Sequence, residues 1–309
     1  MKDHVMGSRP TPTPRTLDPG AGLTEQHVSL PDGRRIRVVV AGTGTGPLVV
    51  LEAGMSAPAA SWVHTQREIS ARTRTLSYDR AGYAGSDVDA HPRTLERLTD
   101  DLTAVLDALD ETAPVVLVGH SWGGPILRCF ADRHPDRVAG LVFVDATLAE
   151  AMDAGSARIT SRSLQLMSLL ARVGGRRLIE KLALPHGASP EISAADLTTI
   201  MRDYACTEAM RAGAREAAQI GAALPVMVAL QEAGTPDVPT VCLQGGRVDR
   251  GMATLRPLLN RTAATLMEAA PQGRVVIVAD AGHLIPQESP GVVRDAVLDV
   301  LDALDAVPE

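Results

Sequence analysis

The sequence predicts an α/β protein: a mostly parallel central sheet flanked by helices, with a helical cap inserted into it. Three observations carry this. Short apolar runs alternate with segments of helical periodicity. Strand signals stop after Val144 for roughly ninety residues and then resume, which marks an insertion rather than a separate domain. A five-residue turn of small residues, Gly119-His120-Ser121-Trp122-Gly123, joins one of the apolar runs to a helical pattern.

Gln26 to Leu30 and Arg35 to Val40 read as two strands joined by the turn Pro31-Asp32-Gly33. Pro47 to Leu51 is a continuous apolar run, hence a buried strand, followed by the loop Glu52-Ala53-Gly54, and Thr73 to Tyr78 is the next strand. Over Thr94 to Leu109, leucines and a valine recur at spacings of three and four, the mark of an amphipathic helix. Pro114 to Val118 and Leu141 to Val144 are buried strands, with a helix starting at Gly124 between them. Helices are expected over Ser163 to Val173, Arg177 to Leu184, Ala194 to Tyr204, Thr207 to Ala223 and Met227 to Glu232, punctuated by glycines and prolines. Strands return at Thr240 to Leu243 and Val275 to Val278, and a last helix spans Val292 to Leu304. The expected division is a disordered leader over 1–20, a first core part over 21–146, the cap over 147–236 and a second core part over 237–309.

A chain of 309 residues can bury a large core without disulfides. Its net charge of −7, with both signs interspersed, argues against nucleic acid and anionic membrane surfaces as partners. Two Trp, three Tyr and two Phe are too few for a base-stacking platform. Cys129, Cys206 and Cys242 show neither a disulfide framework nor zinc spacing and read as small buried residues. No metal-ligand cluster or phosphate loop stands out, so no cofactor is expected. No apolar run has signal-peptide or membrane-spanning character, so a soluble, cytoplasmic protein is expected. Nothing in the sequence fixes an oligomeric state.

The pentapeptide alone is as readily a plain turn serine. Its strand and helix flanks make Ser121 the candidate nucleophile of a strained elbow, with glycines where a Cβ would collide. A serine hydroxyl needs a base to take its proton, and in such a fold serine, acid and histidine follow in that chain order. His134 lies at the end of the elbow helix and His186 in the cap. His283, in Ala281-Gly282-His283 just past the last strand, is the expected base. For the acid, Asp249 is preferred, in the loop after the Thr240 strand. Asp145, at the end of the strand after the elbow helix, is the rival. Asp280 is too near His283 along the chain. The oxyanion donors are expected to be the backbone amides of Trp122 and Met55. Gly54 and Trp62 are candidate substrate contacts, with Trp62 either walling the pocket or packing in the core.

These segments, together with Tyr78-Asp79-Arg80-Ala81-Gly82-Tyr83-Ala84-Gly85-Ser86 and Gly246-Arg247-Val248-Asp249, resemble the α/β-hydrolase fold superfamily, in its capped, esterase-like branch. The resemblance runs from about Gln26 to the C-terminus and implies a nucleophile at Ser121, an acid at Asp249 and a base at His283. It departs at the oxyanion loop, where Ala53-Gly54 stands in place of the His-Gly often found. Serine rather than aspartate as nucleophile argues against the dehalogenase and epoxide hydrolase branches. Asp79-Arg80 is read as structural. The expected activity is hydrolysis of a carboxylic ester, lactone or thioester of a hydrophobic small molecule. The alternatives are a cofactor-free perhydrolase, a carbon–carbon bond hydrolase or lyase on the same triad, and a non-catalytic ligand receptor. Met152, Met167, Met201, Met210 and Met227 either line an adaptable pocket in the cap or pack its helices.

Overall fold

The computed structural model describes residues 22–306, so the leader expected over 1–20 lies outside the described residues. Eight strands form one sheet: β1 (Thr24–Ser29), β2 (Arg35–Ala41), β3 (Val49–Glu52), β4 (Thr75–Tyr78), β5 (Val115–His120), β6 (Val138–Val144), β7 (Thr240–Gly245) and β8 (Gly273–Val278). Their spatial order is β1-β2-β4-β3-β5-β6-β7-β8. β2 pairs antiparallel with β1 and with β4, and every other ladder is parallel. Each of the eight expected strands is present.

The helices are α1 (Val63–Ser70), α2 (Leu95–Ala108), α3 (Gly123–Arg133), α4 (Ala154–Arg172), α5 (Arg176–Ala183), α6 (Ala194–Tyr204), α7 (Thr207–Ala217), α8 (Ile220–Ala233), α9 (Leu255–Ala269), α10 (Ile285–Glu288) and α11 (Pro290–Asp305). The central strands are apolar on both faces because both faces are covered. Val116 and Val118 of β5 and Val142 and Val144 of β6 point to one side, where Ile69 of α1 and Val293, Val297 and Val300 of α11 meet them. Leu117, Leu141 and Phe143 point to the other side, against α2, α3 and α9. This alternation with a period of two builds two core layers, each buried leucine contributing roughly 1.5–3 kcal/mol. The leucines of α2 form the inward stripe that the periodicity predicts, and Thr94 caps its start by accepting a hydrogen bond from the Arg97 amide.

Between β6 and β7 the chain is helical, from α4 to α8. Helix α4 begins at Ala154 rather than Ser163 because Asp153 and Ser156 form a reciprocal capping box ahead of the apolar pattern. The single helix expected over Thr207 to Ala223 is two, broken at Ala218 and Gln219. Helix α8 runs through Pro225, which lies inside the helix and removes one of its i→i−4 hydrogen bonds. Helices α1, α9 and α10 were not expected. Among the described residues no helix is long and apolar enough to cross a membrane.

Candidate active site

Strands β5, β6 and β7 are consecutive in the sheet, and the site is assembled at their carboxyl ends. Ser121 follows β5 directly and adopts φ of +51°, a left-handed conformation that costs a non-glycine residue energy. The turn is held by the Ser121 amide donating to the Val144 carbonyl (3.2 Å) and the Thr147 amide donating to the Ser121 carbonyl (2.9 Å). Gly123 is required sterically: a Cβ there would stand 2.6 Å from the Glu52 carbonyl oxygen.

The Ser121 hydroxyl lies 2.9 Å from His283 Nε2, and His283 Nδ1 lies 2.6 Å from Asp145 Oδ2. A carboxylate only accepts, so Nδ1 carries the proton and Nε2 is free to accept one from Ser121. Asp145 is the residue after β6 and also has a left-handed backbone, with φ of +40°. Its carboxylate accepts from the Gly245 amide (2.9 Å) and is gripped by both terminal nitrogens of Arg256, on α9. Burial alone would raise the Asp145 pKa. The hydrogen bonds and charges of His283 and Arg256 outweigh it and hold the carboxyl well below the usual carboxylate range.

The expectation for the acid is therefore corrected. Asp249 does not reach the His283 ring. It accepts from Arg247 Nε (2.7 Å) and pairs with His186 Nε2 (3.1 Å), and it is about a quarter exposed. Its carboxylate packs against Gly282, where a Cβ would collide with Asp249 Oδ2, and faces His186 instead of the His283 ring. Arg247 also binds Glu288, whose other oxygen accepts from the Gly282 amide, so this cluster braces the loop that bears His283.

His120, inside the elbow, was not singled out from sequence. Its Nε2 donates to the His283 carbonyl (2.8 Å), tying the two loops together. Burial, followed by the neighbouring His283, pushes its pKa down to about 3, so it stays neutral. Trp62 is a second correction. It is fully buried and stacks edge-on against His120, packing behind the site instead of lining it.

The backbone amides of Met55 and Trp122 donate to no acceptor among the described residues. Trp122 immediately precedes α3, whose N-terminal partial charge favours an anion. Gly54 lies on Ser121 so closely that a Cβ would stand 3.1 Å from the serine Cβ. What holds this loop without a histidine is Arg80. Its Nη1 donates to the Ala53 carbonyl (2.6 Å) and to Glu52, its Nη2 to the Gly54 carbonyl (2.8 Å), and Glu216 of α7 chelates it at 2.9 and 2.8 Å. All three ionic side chains are buried.

A cavity of about 130 Å³ opens over Ser121 and His283. Gly54, Met55, Leu184, Ile200 and Met201 line it, with Tyr204 and Gln287 as polar members. Of the five methionines named between β6 and β7 only Met201 faces this cavity, whereas Met210 and Met227 are buried in helix packing. Cys129 and Cys242 are buried as expected. Cys206 is half-buried and caps α7, accepting from the Ala209 amide.

The sequence profile of the Alpha/beta hydrolase family matches residues 38–296. Among curated proteins, the chain is 33% identical to epoxide hydrolase 4 of Mus musculus over 45% of this chain and 39% of that protein. It is 36% identical to epoxide hydrolase B of Mycobacterium tuberculosis over 34% and 30%. The chain thus spans well under half the length of these relatives. Among solved structures, an esterase of Thermogutta terrifontis superposes with a TM-score of 0.68 at 23% identity, covering 91% of this chain and 99% of that one. The enol-lactonase of Burkholderia xenovorans LB400 superposes at 0.69 and 22%, covering 90% and 100%. At these identities the likeness is one of fold.

Proposed function

The chain belongs to the alpha/beta hydrolase family, and we propose that it cleaves a carboxylic ester, lactone or thioester of an apolar small molecule through an acyl-enzyme on Ser121. One observation carries the reading: the unbroken chain of hydrogen bonds from Ser121 through His283 to Asp145.

Ser121 gives its proton to His283 Nε2 as its oxygen attacks the carbonyl carbon, while Asp145 stabilises the imidazolium through Nδ1. The oxyanion that forms takes hydrogen bonds from the Met55 and Trp122 amides. Collapse of the intermediate expels the alcohol, or thiol, which takes the proton from Nε2. A water deprotonated by the same nitrogen then releases the acid. Helices α4 to α8 act as the cap, and the apolar lining contributed by Leu184, Ile200 and Met201 supports an apolar acyl or alkyl group.

Several curated relatives are named epoxide hydrolases. A serine oxygen that opened an epoxide would form an ether, which an activated water does not hydrolyse, whereas attack on an ester yields a cleavable acyl-enzyme. The hydroxyl at position 121 therefore favours esters.

The test is covalent labelling by a fluorophosphonate, read by intact mass. The expected result is one adduct on Ser121, absent in Ser121→Ala. A folded protein that stays unlabelled overturns the assignment. Turnover of p-nitrophenyl esters of increasing acyl length then reports the size of the pocket.

A further inference from the structure

The outer surface of α4 and α5 carries a feature that ester chemistry does not use. Ile159, Leu166, Leu169 and Val173 share the solvent side of α4 and its C-terminus, and each is more than half exposed. Leu178 and Leu182, one turn apart on α5, continue the apolar surface. The inner face of the pair is already satisfied, since Leu164, Met167 and Leu170 pack with Ile179 and Met210.

The charges beside this surface are predominantly basic. Residues 154–183 hold six basic side chains and one acidic one, Glu180. The whole chain has 30 basic and 37 acidic residues, so what lies outside the segment carries 24 against 36. Arg176 pairs with Glu180. Exposed Arg158, Arg162, Arg172, Arg177 and Lys181 make no ion pair among the described residues. Several surface arginines elsewhere are matched, as in Arg133 with Asp100 and Arg137 with Asp107, but nowhere else among the described residues do five unpaired cations fall within thirty residues with a single acidic one. A local net charge of +5 on an acidic protein, next to exposed leucines, is the pattern of a helix that lies in an anionic lipid interface. A two-fold contact between copies through this face would set the five unpaired cations of each against the other.

We propose that the α4–α5 face of the cap docks on an anionic lipid bilayer surface, with its leucines in the headgroup–acyl boundary and its arginines on lipid phosphates. This qualifies the inference from whole-chain charge, which averages over the asymmetry. Helix α5 leads into Ala183 and Leu184, which line the cavity over Ser121, so docking would set the entrance near the lipid. The proposal concerns binding and does not depend on the chemistry assigned to Ser121.

The test is co-sedimentation of the full chain with vesicles of equal parts phosphatidylcholine and phosphatidylglycerol, against pure phosphatidylcholine. Partition to the anionic vesicles should be at least about tenfold stronger and should fall with added salt. Arg162→Glu with Arg172→Glu should lose at least about tenfold of it, as should Leu166→Asp with Leu169→Asp. Both double variants should keep their circular dichroism and their turnover of a soluble ester. Ser121→Ala should bind as the unaltered chain does, which separates this proposal from the catalytic one. Equal partition to both vesicle types, no partition to either, or a dimer in light scattering that the leucine substitutions dissociate would overturn it.

Discussion

Asp145 and Arg256 meet as a buried ion pair directly behind His283, with Arg256 Nη2 3.0 Å from Asp145 Oδ2 and Nη1 on Oδ1. The carboxylate that faces His283 is thus part of the core. Its position is set from two sides, by β7 through the Gly245 amide and by α9 through the guanidinium.

Replacing one partner of that pair strands the other in a dry environment. Arg256→Gln should cost about 3–5 kcal/mol in urea unfolding. The same change should alter acid stability. The folded-state pKa of Asp145 lies below its unfolded value, so its contribution is full above about pH 4 and is lost as pH falls through the folded pKa. Without Arg256 burial acts less opposed, the folded pKa rises, and acid unfolding should begin at higher pH. An unchanged acid transition in a folded Arg256→Gln protein would sink this account.

Asp145→Asn and Asp249→Asn should separate sharply. The first removes the charge that stabilises the imidazolium and should lower kcat on the order of 10³–10⁴-fold, with circular dichroism used to confirm folding. The second disturbs only partly exposed contacts with Arg247 and His186 and should cost no more than about 1 kcal/mol of stability, with turnover retained. The opposite ranking of the two rates would return the role to Asp249.

His120→Gln should flatten stability against pH. The unfolded imidazole titrates near 6.5 and the folded one near 3. Between these values the unfolded chain binds a proton that the folded chain refuses, so stability falls with decreasing pH by at most about 1.4 kcal/mol per unit. Above the window the contribution is complete. Glutamine can still donate to the His283 carbonyl but does not titrate, so the slope of Tm between pH 6.5 and 4 should be shallower than in the unaltered protein.

Arg80→Lys should reveal how the loop bearing Met55 is held. A lysine cannot reproduce the fork that binds the Ala53 and Gly54 carbonyls together with Glu216. With Met55 no longer fixed, kcat should fall about 10–100-fold with a smaller change in KM. Glu216→Gln keeps one acceptor and should fall between. A variant that lost stability but kept kcat would confine Arg80 to a structural role.

Much of this protein is legible in its residues. The central strands were visible as apolar runs bounded by turn residues, β1 and β2 by the turn between them, and the elbow because only glycine fits around it. The histidine near the serine follows from chain order. Of the helices missed, α10 is a single turn, while α1 and α9 have mixed faces; Arg256 shares the buried stripe of Leu259, Ala263 and Met267, and an arginine on such a stripe was the available signal. His120 and Arg80 belonged to recognised motifs, but their partners are distant in the chain.

The choice of acid could not be made from the chain alone. Asp145 and Asp249 both follow strands whose carboxyl ends reach the same edge, and local spacing treats them alike. Folding separates them: β6 adjoins β5, so Asp145 emerges beside Ser121 with Arg256 against it, whereas the loop after β7 sets the Asp249 carboxylate against Gly282, Arg247 and His186 and not on the His283 ring. Local sequence settles which segments become strands and helices, because periodicity and steric fit are short-range. Which carboxylate meets the histidine depends on strand order and on contacts between residues more than a hundred positions apart, and these exist only in the folded chain.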